Sequence, residues 1–317
     1  MNNKIKKIII ATGGTGGHVF PAYSLAKHFI DNKINVEIIS DKRGLKYLKD
    51  YHDMRITEII SSTILKKNIF QLLFSILIIF YSTLRSFIFL LTNRPNLVFG
   101  MGGYSSFPVC VAAKILRIPF IIYENNLHIG KANKYLLPYA RKMFVSYKEL
   151  EGVPNKYCRK ICEIGNIIRK EILNFQVKQV TDQNEKRFKI LVLGGSQAAK
   201  IFAEKLTKIF KECNEAKIQL TVYQQCLPEQ NKFLNSFYTN LNIDFEIFNF
   251  SNNILNYFSR VDLAITRSGS SMLAELINVK IPFISIPLPS SADNHQLKNA
   301  IYYEKNGYSY LIEEKDL

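Results

Sequence analysis

Four glycines and a threonine, Gly13-Gly14-Thr15-Gly16-Gly17, stand between an apolar run and an amphipathic stretch, with His18 directly after them. A strand, a glycine loop and a helix start in that order suit negative charge. Glycines permit positive φ and close backbone approach, and the helix start offers unpaired N–H groups at its positive dipole end. The spacing is not the dinucleotide fingerprint, because G-x-G-x-x-G begun at Gly14 needs a glycine where Val19 stands; this disfavours a nicotinamide oxidoreductase. No Lys-Ser/Thr follows the glycines, so the loop is not a Walker loop either. His18 has a side chain whose ordinary pKa suits proton transfer near neutrality, whereas Glu124 needs burial to raise its carboxyl into that range. Each has a plain structural alternative: His18 bonding a loop carbonyl at a helix start, Glu124 capping a helix.

The elements that must position these residues alternate short β-branched runs with longer amphipathic ones, the pattern of parallel sheets covered by helices. Lys7–Ala11, Val36–Ser40, Leu97–Gly100 and Phe120–Glu124 read as strands, and Pro21–Asp31 as the helix after the first loop. The alternation restarts near Glu163–Arg169. After the polar stretch Gln176–Lys189 come Ile190–Leu193, Leu220–Tyr223, Asp244–Phe248, Leu263–Thr266 and Phe283–Ile286, with Gly194-Gly195-Ser196 opening a helix after the first of them. Two Rossmann-like domains are expected, residues 1–164 and 165–317, with ligands bound beyond the carboxyl ends of the strands.

The 317 residues suffice for two ordinary cores, and 47% of them are hydrophobic. Lys and Arg number 42 against 26 Asp and Glu, a formal net charge of +16. Such a field fits nucleic acid, an anionic membrane surface or a phosphorylated substrate. The basic residues are scattered and form no nucleic-acid-binding motif, so no nucleic-acid partner is expected. Five cysteines without framework or zinc-ligand spacing imply reduced thiols, a cytoplasmic compartment and no metal site.

From Ile69 to Leu91 the chain is apolar except for polar interruptions such as Arg85, and Lys66 and Lys67 precede it. Its length permits a membrane crossing, but one crossing puts the strands before and after it on opposite sides of a bilayer. An interfacial helix, or two short ones, on an anionic membrane surface is the expected reading, with a buried helix as the alternative.

Eight ordered blocks carry a resemblance over residues 8–300. They are Gly13-Gly14-Thr15-Gly16-Gly17-His18-Val19-Phe20-Pro21, Gly100-Met101-Gly102-Gly103-Tyr104-Ser105, Glu124-Asn125-Asn126, Asn133-Lys134, Gly165-Asn166 with Arg169, Gly194-Gly195-Ser196-Gln197, Arg267-Ser268-Gly269 with Glu275, and Asp293-Asn294-His295-Gln296 with Asn299. Together they resemble the MurG family of bacterial glycosyltransferases. The sequence departs from that family at Ala198, Lys200 and Ile167 and around Ser270–Leu273.

The resemblance implies the GT-B fold, two Rossmann-like domains facing across a cleft. It implies inverting transfer of N-acetylglucosamine from UDP-N-acetylglucosamine to the muramyl 4-hydroxyl of lipid I, giving lipid II at the cytoplasmic face of the plasma membrane, with no cofactor. Transfer to another membrane lipid, or nucleotide-sugar binding without catalysis, are the alternatives. Without a metal, the charge of the leaving diphosphate must be met by helix termini, hydroxyls and an Arg. By the resemblance, Arg169 and Ser196 serve that diphosphate. Ser270, Ser271, Met272, Leu273, Ala274 and Glu275 hold the nucleotide and sugar, Glu275 on the ribose hydroxyls, with Gln296 on the sugar and Ser251 facing uracil. Thr15, Gly16, Gly17 and Tyr104 border the acceptor diphosphate, Asn126 lies near the reacting sugar, and His18, with Glu124 second, is the candidate base.

Overall fold

The computed structural model describes residues 6–49, 51, 53–61, 68–175, 187–195, 200–251 and 253–317. Two compact units divide the chain, Met1–Arg169 and Lys170–Leu317, so the Gly165–Arg169 segment stays with the first.

The first unit runs β1 (Lys7–Thr12), α1 (Gly16–Asp31), β2 (Asn35–Ser40), the single turn α2 (Lys42–Leu45), β3 (Arg55–Glu58), α3 (Ile69–Asn93), β4 (Leu97–Gly100), α4 (Gly103–Ile115), β5 (Phe120–Glu124), α5 (Lys131–Leu136), β6 (Lys142–Val145) and β7 (Ile161–Glu163). The seven strands form one parallel sheet in the order β3-β2-β1-β4-β5-β6-β7. Strand order reverses between β1 and β4, and ligands of open parallel sheets bind beyond the strand ends at such a switch. Successive residues of β1 serve opposite faces. Ile8 and Ile10 join Val19, Ala22 and Ala26 of α1, while Ile9 and Ala11 join Leu90 of α3 and Val109 and Ala113 of α4. The two helices that start at the switch therefore lie on opposite sides of the sheet.

α1 begins at Gly16, earlier than the apolar periodicity alone indicates, with extended Thr15 as its N-cap. His18 is thus a first-turn helical residue. Pro21 lies inside the helix and has no N–H for the carbonyl of Gly17. That carbonyl accepts the Asn125 side-chain amide instead, at 2.9 Å.

α3 is one continuous helix of 25 residues with inverted polarity. Its buried positions include Ser75, Ser82 and Ser86, whose hydroxyls donate to the carbonyls of Gln71, Ile60 and Ser82. Outside, Phe70, Phe74, Leu77, Phe80, Leu84 and Ile88 are exposed, Phe70 to 79%. Only 17% of its most apolar stretch is buried. Small inward side chains let α3 lie close to α4 and leave its apolar bulk uncovered. β3 and β4, on either side of it, belong to the same sheet.

The second unit runs α6 (Lys170–Leu173), β8 (Phe188–Leu193), α7 (Lys200–Glu215), β9 (Leu220–Gln225), α8 (Asn231–Asn240), β10 (Asp244–Phe248), α9 (Leu255–Phe258), β11 (Leu263–Thr266), α10 (Ser270–Asn278), β12 (Phe283–Ser285), α11 (His295–Lys305) and β13 (Ser309–Leu311). Its six strands, again all parallel, are ordered β10-β9-β8-β11-β12-β13, with the switch between β8 and β11. One face is filled by Phe202, Leu206 and Phe210 of α7 and Leu234 and Tyr238 of α8. Both units are Rossmann-like, as the sequence pattern implies.

Candidate functional site

At the first switch point the loops after β1 and β4 meet through His18. A Cβ built on Gly102 would stand 3.2 Å from the imidazole Cε1 and 3.3 Å from Nδ1, and one on Gly103 3.5 Å from Cδ2. Both glycines have positive φ, 86° and 72°. The ring thus lies against the first residues of α4 while its own backbone belongs to the first turn of α1. The starts of two helices thus meet at this imidazole. Such positive ends favour an anion nearby. Gly16 and Thr15 start α1, and Tyr104 is half-buried in the first turn of α4.

Behind the glycine loop sits Asp41, with a side chain only 5% exposed. Its carboxylate accepts the N–H of Gly14 at 2.9 Å and of Gly44 at 2.8 Å, the Ser61 hydroxyl at 2.8 Å, and Nε and Nη2 of Arg43 at 3.1 and 2.9 Å. Burial pushes its pKa up, but these hydrogen bonds outweigh burial and hold it at about 2. Ser61 also meets Ser105 of α4, Oγ to Oγ at 3.2 Å. One carboxylate thereby ties the ends of β1, β2 and β3 to the start of α4. The backbones press together as well: a Cβ on Gly44 would stand 2.9 Å from the Cα of Gly13, and a Cβ on Gly13 would meet Asp41 Oδ1 at 2.6 Å.

Glu124 ends β5 and is 3% exposed. Its Oε1 accepts the backbone N–H and side-chain amide of Asn126 at 3.2 and 3.1 Å, and its Oε2 accepts Gly130 N–H and the Asn133 amide at 2.9 and 3.0 Å. Four donors surround the carboxylate, which makes it the anchor of the loop that carries Asn126. The neighbouring Tyr123 hydroxyl bonds Ser146 at 2.8 Å and accepts Ile167 N–H at 3.1 Å, fixing the Gly165–Arg169 segment. Arg169 stands with its guanidinium carbon 5.1 Å from the Phe20 ring centroid.

In the second unit, the loops after β8 and β11 flank the other switch point. Gly195 has φ 77°, and Ser196 lies outside the described residues. Ser270, Ser271, Met272, Leu273, Ala274 and Glu275 form the first turns of α10. Leu273 is fully buried, so any ligand contact there runs through its backbone, while Ser270 and Glu275 are buried polar residues, 3% and 4% exposed. Arg267, just before this helix, donates Nη1 to the carbonyls of Ile286 and Pro287 at 3.3 and 3.2 Å and pairs with Glu314. Asn299 donates to the Ser268 carbonyl at 3.2 Å. Gln296, in the first turn of α11, accepts Leu288 N–H on its Oε1 at 2.9 Å. Ser251, half-buried, lies past the end of β10 next to exposed Phe250.

The structure therefore sets Thr15, Gly16, Gly17, His18, Tyr104, Glu124 and Asn126 at the carboxyl ends of β1, β4 and β5 in the first unit, with Arg169 beside Phe20, while in the second Ser270–Glu275 follow β11, Gln296 opens α11 and Ser251 follows β10. Asp41, Arg43 and Ser61 are additions that motif reading passed over. The parallel register that pairs Thr12 with Ser40 is what brings Asp41 beside the glycine loop.

Residues 8–145 match the glycosyltransferase family 28 N-terminal domain and residues 189–317 its C-terminal domain. A Pelagibacter ubique protein named UDP-N-acetylglucosamine–N-acetylmuramyl-(pentapeptide) pyrophosphoryl-undecaprenol N-acetylglucosamine transferase is 35% identical over 98% of this chain and 86% of its own length. A Rickettsia bellii protein of the same name is 34% identical over 99% of this chain and 87% of its own. Among solved structures, Acinetobacter baumannii MurG superposes with a TM-score of 0.75 at 24% identity, covering 98% of this chain and 86% of that one.

Proposed function

The chain belongs to glycosyltransferase family 28, and from that premise we propose that it transfers N-acetylglucosamine from UDP-N-acetylglucosamine to the muramyl 4-hydroxyl of lipid I, the undecaprenyl-pyrophosphoryl acceptor, giving lipid II. The near-full-length match to transferases named for that donor and acceptor carries the reading.

The first unit takes the acceptor and supplies the base. The acceptor diphosphate is met by the N-termini of α1 and α4, and His18 removes the proton of the 4-hydroxyl as its oxygen attacks the anomeric carbon. The bond from that carbon to the UDP oxygen breaks, its electron pair leaves with the β-phosphate, and the configuration inverts. Two hydrogen-bonded roles separate the candidate residues: His18 takes the proton, whereas Glu124, surrounded by four N–H donors, holds the Asn126 loop in place. The second unit takes the nucleotide sugar, with the start of α10 meeting negative charge and Glu275 and Gln296 meeting hydroxyls.

α3 serves as the membrane contact at the cytoplasmic face. A 25-residue helix with serines inside and Phe70, Phe74 and Phe80 outside has nothing to gain from water, and a lipid surface covers that face without a crossing. An acceptor that carries a polyprenyl tail places such an enzyme at a membrane.

The test is turnover of UDP-N-acetylglucosamine with a soluble lipid I analogue, followed by release of UDP and by mass of the disaccharide product. UDP and acceptor binding without product formation would sink the enzyme reading.

A further inference from the structure

We propose that Arg43 is a further recognition residue for the acceptor, contacting its diphosphate, and that Asp41 is the positioning residue that aims it; the inference rests on the transferase reading above.

A buried carboxylate behind a loop that receives a diphosphate repels the ligand unless its charge is answered locally. Arg43 answers it. Its Nε and Nη2 both donate to the same oxygen of Asp41, Oδ2, at 3.1 and 2.9 Å. This side-on hold fixes the guanidinium plane while the side chain stays 55% exposed. The held group lies along Gly14. Among the described residues, the atom that a Cβ built at Gly14 would meet within 4 Å is Arg43 Nη2, at 3.8 Å.

The N–H of Gly14 donates inward to Asp41 Oδ1 at 2.9 Å. The first half of the glycine loop therefore turns its amide away from a ligand on its open side. A donor on that side has to come from a side chain, and Arg43 is the cation placed there. Arginine is suited to the task, because its planar fork matches phosphate oxygens and its charge does not titrate.

The two roles differ in kind. Arg43 touches the ligand; Asp41 acts through Arg43 and through Gly14, and its other partners, Gly44 and Ser61, belong to the loops after β2 and β3.

The experiment measures steady-state kinetics of the full chain with UDP-N-acetylglucosamine and a short-chain prenyl-diphosphate-linked N-acetylmuramyl-pentapeptide. Arg43→Gln is expected to raise the acceptor KM about tenfold with the donor KM unchanged, and a thermal melt reads separately what the loss of the Asp41 pair costs the fold. Arg43→Lys, which keeps a point charge, falls between. Asp41→Asn raises the acceptor KM comparably, and the double variant is no worse than the worse single one. An acceptor KM for Arg43→Gln within about twofold of the parent, or equal rises for both substrates, overturns the proposal. If the unaltered protein forms no product, the transferase reading itself fails. Inorganic pyrophosphate binding with UDP present then decides on Arg43: binding about tenfold weaker in Arg43→Gln supports its anion role, and equal binding ends it.

Discussion

The imidazole of His18 rests on Gly102, close enough that a methyl group at that glycine would stand 3.2 Å from the ring's Cε1. The contact joins the first turn of α1 to the start of α4 across the switch point of the sheet, and on the proposed mechanism it sets where the proton is received. Gly102→Ala should therefore displace the ring and strain a backbone held at φ 86°. The expected result is a fall in kcat of about tenfold or more with a stability loss of about 1 kcal/mol. Transfer kinetics and thermal melts check it.

His18→Ala should lower kcat by ~10²–10⁴, the range for a lost general base, with little change in melting temperature. An unaffected rate would place the base elsewhere.

Glu124→Gln tests the anchoring role. The substituted amide turns its N–H groups toward at least some of the four donors now satisfied by the carboxylate. About 1–3 kcal/mol of stability should be lost, and the pH dependence of the remaining activity should keep its shape. A shifted limb in the pH–rate profile would instead make Glu124 the titrating base.

Asp41 predicts an acid dependence of stability. Its folded pKa of about 2 lies below the ordinary 3.8, so its contribution is full above pH ~4 and is lost as pH falls through about 2. The size is about 2 kcal/mol. Urea titrations from pH 5 to pH 2 should show that loss in the parent and a flatter curve in Asp41→Asn, once the overall destabilisation of the variant is subtracted.

For α3, Phe70, Phe74 and Leu77 changed together to Ser should weaken binding to anionic vesicles without lowering the melting temperature, because these side chains are uncovered in the folded chain. Ser82→Leu is the reverse case. Ser82 is fully buried and donates to the Ile60 carbonyl, so the larger side chain should cost about 1–3 kcal/mol while leaving the lipid-facing stripe intact. Vesicle sedimentation and thermal melts separate the two.

Much of the scaffold is legible in the chain. β4, β5 and β11 coincide with the runs Leu97–Gly100, Phe120–Glu124 and Leu263–Thr266, since central parallel strands are covered on both faces and read as continuous apolar segments, whereas the edge strand β10 coincides with Asp244–Phe248 through its alternation of charged and apolar residues. β3, Arg-Ile-Thr-Glu, and β7, Ile-Cys-Glu, escaped notice because they are short edge strands with charged or exposed positions. The helix start at Gly16 is hidden by glycine's poor helix propensity, which the packing of Val19 and Ala22 overrides. Residues of conspicuous type, such as His18 and Glu124, could be singled out in advance. Asp41 could not, because an aspartate after a strand is ordinary until the register sets it beside Gly14. The inverted polarity of α3 was equally invisible, since an apolar stretch does not announce which of its few serines will face inward.

The near-touching backbones of Gly13 and Gly44 have a consequence for how the protein tolerates mutation. An atom added at Gly13 runs into Ser105 and Asp41, and one added at Gly44 runs into Ser40, Val19 and the Cα of Gly13 itself. Each position is closed by its own set of neighbours, so a compensating substitution for one does not serve the other. A smaller side chain at Ser105 bears on Gly13, and one at Ser40 or Val19 bears on Gly44. The paths by which this loop can drift are correspondingly few.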